Sequence, residues 1–250
     1  MRIFVTGANG QLGQELVRCV TAAGHTAIGS THESLDITNE QAVIATIGEA
    51  KPDVVIHAAA WTAVDACESD PNKAMLVNGT ATAYIAAAAH AVGAHVVYIS
   101  TDYVFDGTKT SPYVETDVPN PTSVYGESKL AGERALGATD AIVRIAWVSG
   151  YHGANMVKTI LRLRNEPQLR FVNDQIGNPT FADDAAAMIV RLAVEKHPGI
   201  WHITNQGVAS WFEFAREVLL AAGQDANKVL PIATSELQPP RPAKRPANSV

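Results

Sequence analysis

Short β-branched runs alternate with longer alanine-rich stretches from the start of this chain, and that alternation restricts the fold more than any other feature. Ile3-Phe4-Val5 leads into a helical pattern from Gln11 to Val17, and Thr26-Ala27-Ile28 into another near residues 39–50. Asp53-Val54-Val55-Ile56-His57 precedes a helix from Pro71 to Val92. His95 to Ile99, a helix over Val124–Leu136 and Ala141-Ile142-Val143-Arg144 continue the series. The strand runs are apolar on both faces, as strands covered by helices on two sides must be. The prediction is an α/β fold with a doubly wound, Rossmann-type parallel sheet.

The pattern loosens after residue 145. Gly150 to Gly153 reads as a loop, and helices near 154–164, 181–196 and 210–222 alternate with short strands at 169–172 and 200–203. The expected division is a dinucleotide-binding domain over 1–147 and a smaller C-terminal α/β substrate lobe over 148–250, with a strand or helix shared between them. A chain of 250 residues is long enough for both. Pro239 to Pro246 is proline-rich and basic, so it reads as loop or tail.

Nineteen basic against twenty-five acidic residues give a formal charge of −6, which argues against a general nucleic-acid binder. No apolar run is long enough to span a membrane and no secretory leader precedes Met1, so a cytoplasmic location is expected. Cys19 and Cys67 lack metal-binding or redox spacing.

Gly7, Gly10 and Gly13 follow the first strand and open the first helix. Gly7 allows a tight turn, Gly10 the approach of a pyrophosphate and Gly13 close helix packing, while backbone N–H groups face the phosphates. The second strand ends at Ser30 with no acid at its tip, so a 2′-phosphate meets no repulsion there. Asp36 either accepts from an adenine amino group or caps the next helix. Ala58, Ala59 and Ala60 are small enough for a cofactor to lie across the strand end.

Tyr125 and Lys129 stand at i and i+4, one helical turn apart on one face. A nearby ammonium favours the phenolate and lowers the tyrosine pKa, and it can also hold ribose hydroxyls. Ser100 and Thr101 follow the apolar strand at its C-terminal end, where open α/β sheets carry their sites. The Thr101 hydroxyl can orient the carbonyl that Tyr125 protonates.

Over nearly its whole length the chain resembles the extended short-chain dehydrogenase/reductases, and within them the dTDP-4-dehydrorhamnose reductase family. The strings carrying the resemblance are Gly7 to Gly13, Ala58 to Asp65 (A-A-A-W-T-A-V-D), Ser100 to Phe105 (S-T-D-Y-V-F), Tyr125 to Glu133, Arg144 to Val148 and Asn173 to Thr180 (N-D-Q-I-G-N-P-T). The resemblance implies reduction of the 4-keto group of a dTDP-6-deoxy-hexulose by NADPH or NADH. By the same resemblance Gly10, Gln11 and Leu12 contact pyrophosphate, Ser30 lies near the adenosine ribose and Asp36-Ile37 near adenine. Ala58, Ala60, Thr62 and Ser100 lie along the cofactor. Tyr125 is the acid, Lys129 tunes it, Thr101 and Asp102 touch the sugar, and Trp147 stacks on it. Some members hold Mg²⁺ between subunits, which implies a homodimer; Glu15 matches one such position and Asp183 stands where a glutamate would be. The family normally continues past Asn248-Ser249-Val250, where this sequence stops, so the nucleotide half of the pocket is expected to be incomplete.

Two rivals fit less well. A sugar-nucleotide 4,6-dehydratase needs an Asp-Glu pair after the threonine, but Asp102 is followed by Tyr103. A regulatory subunit like that of methionine adenosyltransferase shares the fold without the chemistry; intact Thr101, Tyr125 and Lys129 favour an enzyme.

Overall fold

A computed structural model describes residues 1–250. Strands β1 (Arg2–Thr6), β2 (Thr26–Ser30), β3 (Val54–His57), β4 (His95–Thr101) and β5 (Ala141–Ile145) join Gly199–His202 in one six-stranded sheet. Every pairing is parallel, and the spatial order is β2, β1, β3, β4, β5, then Gly199–His202. The order reverses between β1 and β3, so a crevice opens beyond their C-terminal ends, where doubly wound sheets bind ligands.

The strands show why both faces are covered. Ile3, Val5, Val54, Ile56 and Val97 point to one side with Leu16 of helix α1 (Gln11–Ala22) and Ile189 of helix Ala182–Glu195. Phe4, Val55 and Val96 point to the other, with Val43 and Ile47 of helix α2 (Glu40–Ala50) and Ile85 of helix Ala81–Ala91. Side chains alternate with period two along a strand, and here each alternate set meets a different helix layer. Each such fully buried aliphatic contributes about 1.5–3 kcal/mol.

The helix expected from Pro71 to Val92 forms, but with a π-helical segment over Met75–Thr80. Asp70 caps its start. The widened turn presents Asn78 inward, where its side-chain amide accepts from Trp61 N (2.8 Å) and donates to Trp61 O (3.1 Å) and Ser128 Oγ (3.0 Å).

Beyond β5 the chain crosses between two layers more than once. Strands Leu169–Val172 and Val229–Ile232 pair in parallel, and with helices Met156–Arg162 and Trp211–Ala221 they enclose a small core of Ile160, Phe214 and Leu219. Between these pieces, helix Ala182–Glu195 packs on the large sheet and Gly199–His202 extends it beside β5. The C-terminal segment is tied down rather than a free tail. Asn248–Ser249 pairs with Ile176–Gly177, and Arg245 grips both carboxylate oxygens of Asp65. No helix is long and apolar enough to cross a membrane.

Candidate active site

β1 ends at Thr6 and the glycine loop follows. Gly7 has φ of +67°, and a Cβ there would sit 2.9 Å from the Ala59 backbone, so only glycine fits. A Cβ on Gly13 would run into the Gly7 carbonyl oxygen, which makes Gly13 a packing glycine against the loop itself. Gly10 caps α1 with no side-chain bond to its first N–H groups. Those donors and the positive end of the helix therefore face the crevice, and they suit a pyrophosphate. Gln11 ties this loop to the far side of the site: its Nε2 donates to Val148 O (3.0 Å) and its Oε1 accepts from Asn155 Nδ2 (2.7 Å).

Two cavities meet over the loop and share Gly7, Gly10, Ala58 and Ala60. The first, about 380 Å³, reaches Ser30, Asp36 and Ile37. Asp36 does not cap α2, because Asn39 accepts from Ala42 N (3.1 Å) in that role. Instead its Oδ1 accepts from the Thr38 backbone N–H and hydroxyl (2.9 and 2.7 Å). The second cavity, about 520 Å³, runs past Leu12, Gly13 and Thr62 to Ser100, Thr101, Asp102, Tyr125, Lys129 and Trp147. One groove thus joins the residues expected to meet adenosine with those expected to meet a ketone, and its lining fits a nicotinamide dinucleotide.

Ser123 caps helix Val124–Glu133 through Gly126 N (3.2 Å), which turns Tyr125 into the groove. Tyr125 packs edge-on against Tyr103, ring centroids 5.4 Å apart. Burial pushes its phenol above the usual range, and the Thr101 hydroxyl beside it pulls back toward ionisation. The i, i+4 spacing assigns that pull to the Lys129 ammonium, and the structure does not. Lys129 Nζ instead donates to Ile99 O (2.7 Å) and lies 4.1 Å from the Tyr98 ring centre. Lys129 is only 2% exposed, and this burial lowers its pKa to about 7, opposed by Glu133.

Ser100 Oγ donates to Glu133 Oε1 (2.6 Å), and Glu133 in turn holds Arg144 through bonds of 2.9 and 2.7 Å. The Ser100 hydroxyl is thus engaged inside the fold although the residue lines the groove. Asp102 Oδ1 accepts from Thr101 (2.9 Å), and burial raises the Asp102 pKa to about 6. Trp147 adopts φ of +47° and stacks face to face on Trp211, centroids 3.6 Å apart, with its ring edge against Gly177. One face of the pair borders the groove and the other the small lobe.

Under the loop, His57 is fully buried and bridges Thr6 Oγ1 (2.7 Å) and Thr82 Oγ1 (3.2 Å). Thr6 also accepts from Ala59 N (3.1 Å), so this histidine fixes the strand ends on both sides of the crevice.

The expected Mg²⁺ ligands, Glu15 and Asp183, come from α1 and helix Ala182–Glu195. Both border one cavity, and Glu15 is paired with Arg18 (2.7 Å), whose charge compensates it within the chain. No group of three His, Cys, Asp or Glu side chains converges anywhere.

A dinucleotide groove that ends on a tyrosine and a lysine one helical turn apart belongs to the nicotinamide-dependent oxidoreductases of the short-chain dehydrogenase/reductase class. Within that class the chain belongs to the family described as RmlD substrate binding domain, which matches residues 1–250. The dTDP-4-dehydrorhamnose reductase of Burkholderia thailandensis is 43% identical over 270 aligned positions, covering 100% of this chain and 90% of that protein. A crystal structure of a dTDP-4-dehydrorhamnose reductase from Clostridium acetobutylicum superposes with a TM-score of 0.95 at 44% identity, covering 100% of this chain and 89% of that one. The Bacillus anthracis dTDP-4-dehydrorhamnose reductase, solved in complex with NADP, gives a TM-score of 0.95 at 40% identity over 99% of this chain and 89% of its own.

Proposed function

We propose that this protein reduces the 4-keto group of dTDP-4-dehydrorhamnose to dTDP-L-rhamnose, with NADPH as the preferred reductant. The observation that carries this reading is the convergence of Thr101, Tyr125, Lys129 and Trp147 at one end of a dinucleotide groove. The dTDP-4-dehydrorhamnose reductases among its relatives, one of them solved with NADP, support it.

Gly10, Gln11 and Leu12 would hold the pyrophosphate, Ser30 the adenosine ribose with its 2′-phosphate, and Lys129 the nicotinamide ribose. Bound there, the cofactor supplies the hydride. Tyr125 donates its proton to the substrate oxygen as charge develops on it, a contribution of about 10²–10⁴ in rate for a positioned acid. Thr101 orients the carbonyl, and Asp102 and Trp147 bracket the sugar. An aromatic face suits a deoxy-sugar, which presents C–H groups on one side. On the other side of the Trp147–Trp211 stack, a cavity of about 310 Å³ is lined by Arg170, Arg241 and Arg245. Arg241 and Arg245 already pair with Asp65, which leaves the Arg170 guanidinium for the substrate diphosphate.

The test is direct. The purified protein is mixed with NADPH and the dTDP-4-keto-6-deoxy sugar, and the reduced-nicotinamide absorbance is followed. Loss of absorbance that depends on the sugar, with dTDP-L-rhamnose as product, is expected. No oxidation of NADPH refutes the assignment.

A further inference from the structure

Behind Asp102, on the side away from the glycine loop, lies a separate cavity of about 240 Å³. Asp102 borders both this cavity and the main groove. Arg144 of β5, His202 of the neighbouring strand and Ser249 of the C-terminal segment also line it. Four buried side-chain atoms in the protein have no hydrogen-bond partner, and three belong to residues of this cavity: Asp102 Oδ2, Arg144 Nη1 and His202 Nε2. Arg144 is 3% exposed and Asp102 8%. Unpartnered buried groups of this kind are costly unless water satisfies them, and water needs both room and two to four polar partners. A cavity of this size has room for water.

The reaction read above leaves a phenolate on Tyr125 after every turnover, and that phenolate must recover a proton. We propose that Asp102 supplies it, drawing protons from the water of this rear cavity and passing them through the Thr101 hydroxyl to Tyr125. The proposal rests on the reductase reading. Tyr125 gives its O–H proton to the sugar alkoxide formed by hydride transfer. The phenolate takes the Thr101 hydroxyl proton, Thr101 Oγ1 takes one from the Asp102 carboxyl, and the carboxylate is reprotonated from water. One hydride and one solvent proton are consumed for each ketone reduced. The Thr101–Asp102 bond of 2.9 Å is already in place with the polarity left after a proton has passed. A hydroxyl is donor and acceptor at once, so the same pair serves the reverse polarity.

Burial also holds the Asp102 carboxyl near pKa 6, close enough to neutral for it to load and unload. The groups that face it are Thr101, Tyr103 and Ser249 beside it, Tyr125 across the groove, and Arg144 and His202 across the rear cavity. His202 is itself beside Glu115, and burial lowers its pKa.

Asp102→Asn keeps an acceptor for Thr101 but carries no proton. Expected are a fall in kcat of about tenfold or more, an NADPH dissociation constant close to wild type, and loss of the decline in wild-type kcat above about pH 6. In the wild type, steady-state kcat in mixtures of H₂O and D₂O should curve with deuterium fraction, because more than one proton moves in each relay. A linear dependence overturns the relay even if the variant does not fold. So does a variant whose kcat and pH profile stay wild-type, or one that changes only the Michaelis constant, which makes Asp102 a sugar contact alone. A wild-type protein that does not oxidise NADPH with the keto-sugar refutes the reductase reading, and the relay with it.

Discussion

Replacing His57 by asparagine tests the buttress beneath the glycine loop. His57 is fully buried, and burial together with the Lys129 charge lowers its pKa to about 3, against an ordinary value near 6.5. The unfolded chain therefore takes up a proton below pH 6.5 that the folded protein refuses. Stability is unaffected by this group above pH 6.5 and is lost as pH falls toward 3. At pH 5 the free imidazole is 1.5 pH units below its midpoint, so the loss is about 2 kcal/mol, at 1.36 kcal/mol per unit. An asparagine amide cannot titrate. It retains a polar atom for Thr6 but gives up the Thr82 bond and part of the ring's packing, at a cost of about 1–3 kcal/mol at pH 7.5. Urea unfolding of both proteins across pH 7.5–4.5 separates the two effects. The wild-type advantage should shrink by about 2 kcal/mol between pH 7.5 and 5. A difference that stays constant over that range means His57 is charged or hydrated in the fold, and the reasoning fails.

Tyr125→Phe should lower the chemical step by about 10²–10⁴ while NADPH binding, read by nucleotide fluorescence, changes little; turnover within a few-fold of wild type removes Tyr125 as the acid. Ser30→Asp puts a carboxylate at the adenosine end of the groove, so kcat/KM should shift toward NADH. A wild-type protein that binds NADH but not NADPH refutes the role of Ser30. Trp147→Ala should raise the Michaelis constant for the keto-sugar strongly and leave that for NADPH nearly unchanged; an equal effect on both makes Trp147 a packing residue for the Trp211 helix.

What the sequence displayed and what it concealed divide along physical lines. β1 to β5 and their helices were legible because each is local: an apolar run, a glycine or capping residue, then a helical period. Glycine spacing and the i, i+4 pair were legible for the same reason, since a turn or one helical face is fixed by neighbours in the chain. The strand Gly199–His202 was visible as a strand, yet it looked like part of the small lobe. Its place beside β5 depends on the helix Ala182–Glu195 burying Ile189 on the same sheet, which no local pattern reports. The C-terminal segment read as a tail because proline excludes regular structure there. What orders it is an ion pair between Asp65 and Arg245, far apart in sequence, which holds the Asp65 carboxyl down at about pKa 2.

The electrostatics of the site were the least legible part. Spacing alone brings the Lys129 ammonium onto the face of Tyr125 and makes it the group that lowers the phenol's pKa. Packing changes the outcome: both groups are buried, so desolvation acts on each against its charged form, and the two move in opposite directions. Lys129 is brought near neutrality, Tyr125 is held as a phenol, and the nearest help toward ionisation comes from Thr101. A phenol held protonated is the right starting state for an acid. It also makes the phenolate left after the transfer a strong base that readily takes a proton back, the step for which we propose Thr101 and Asp102.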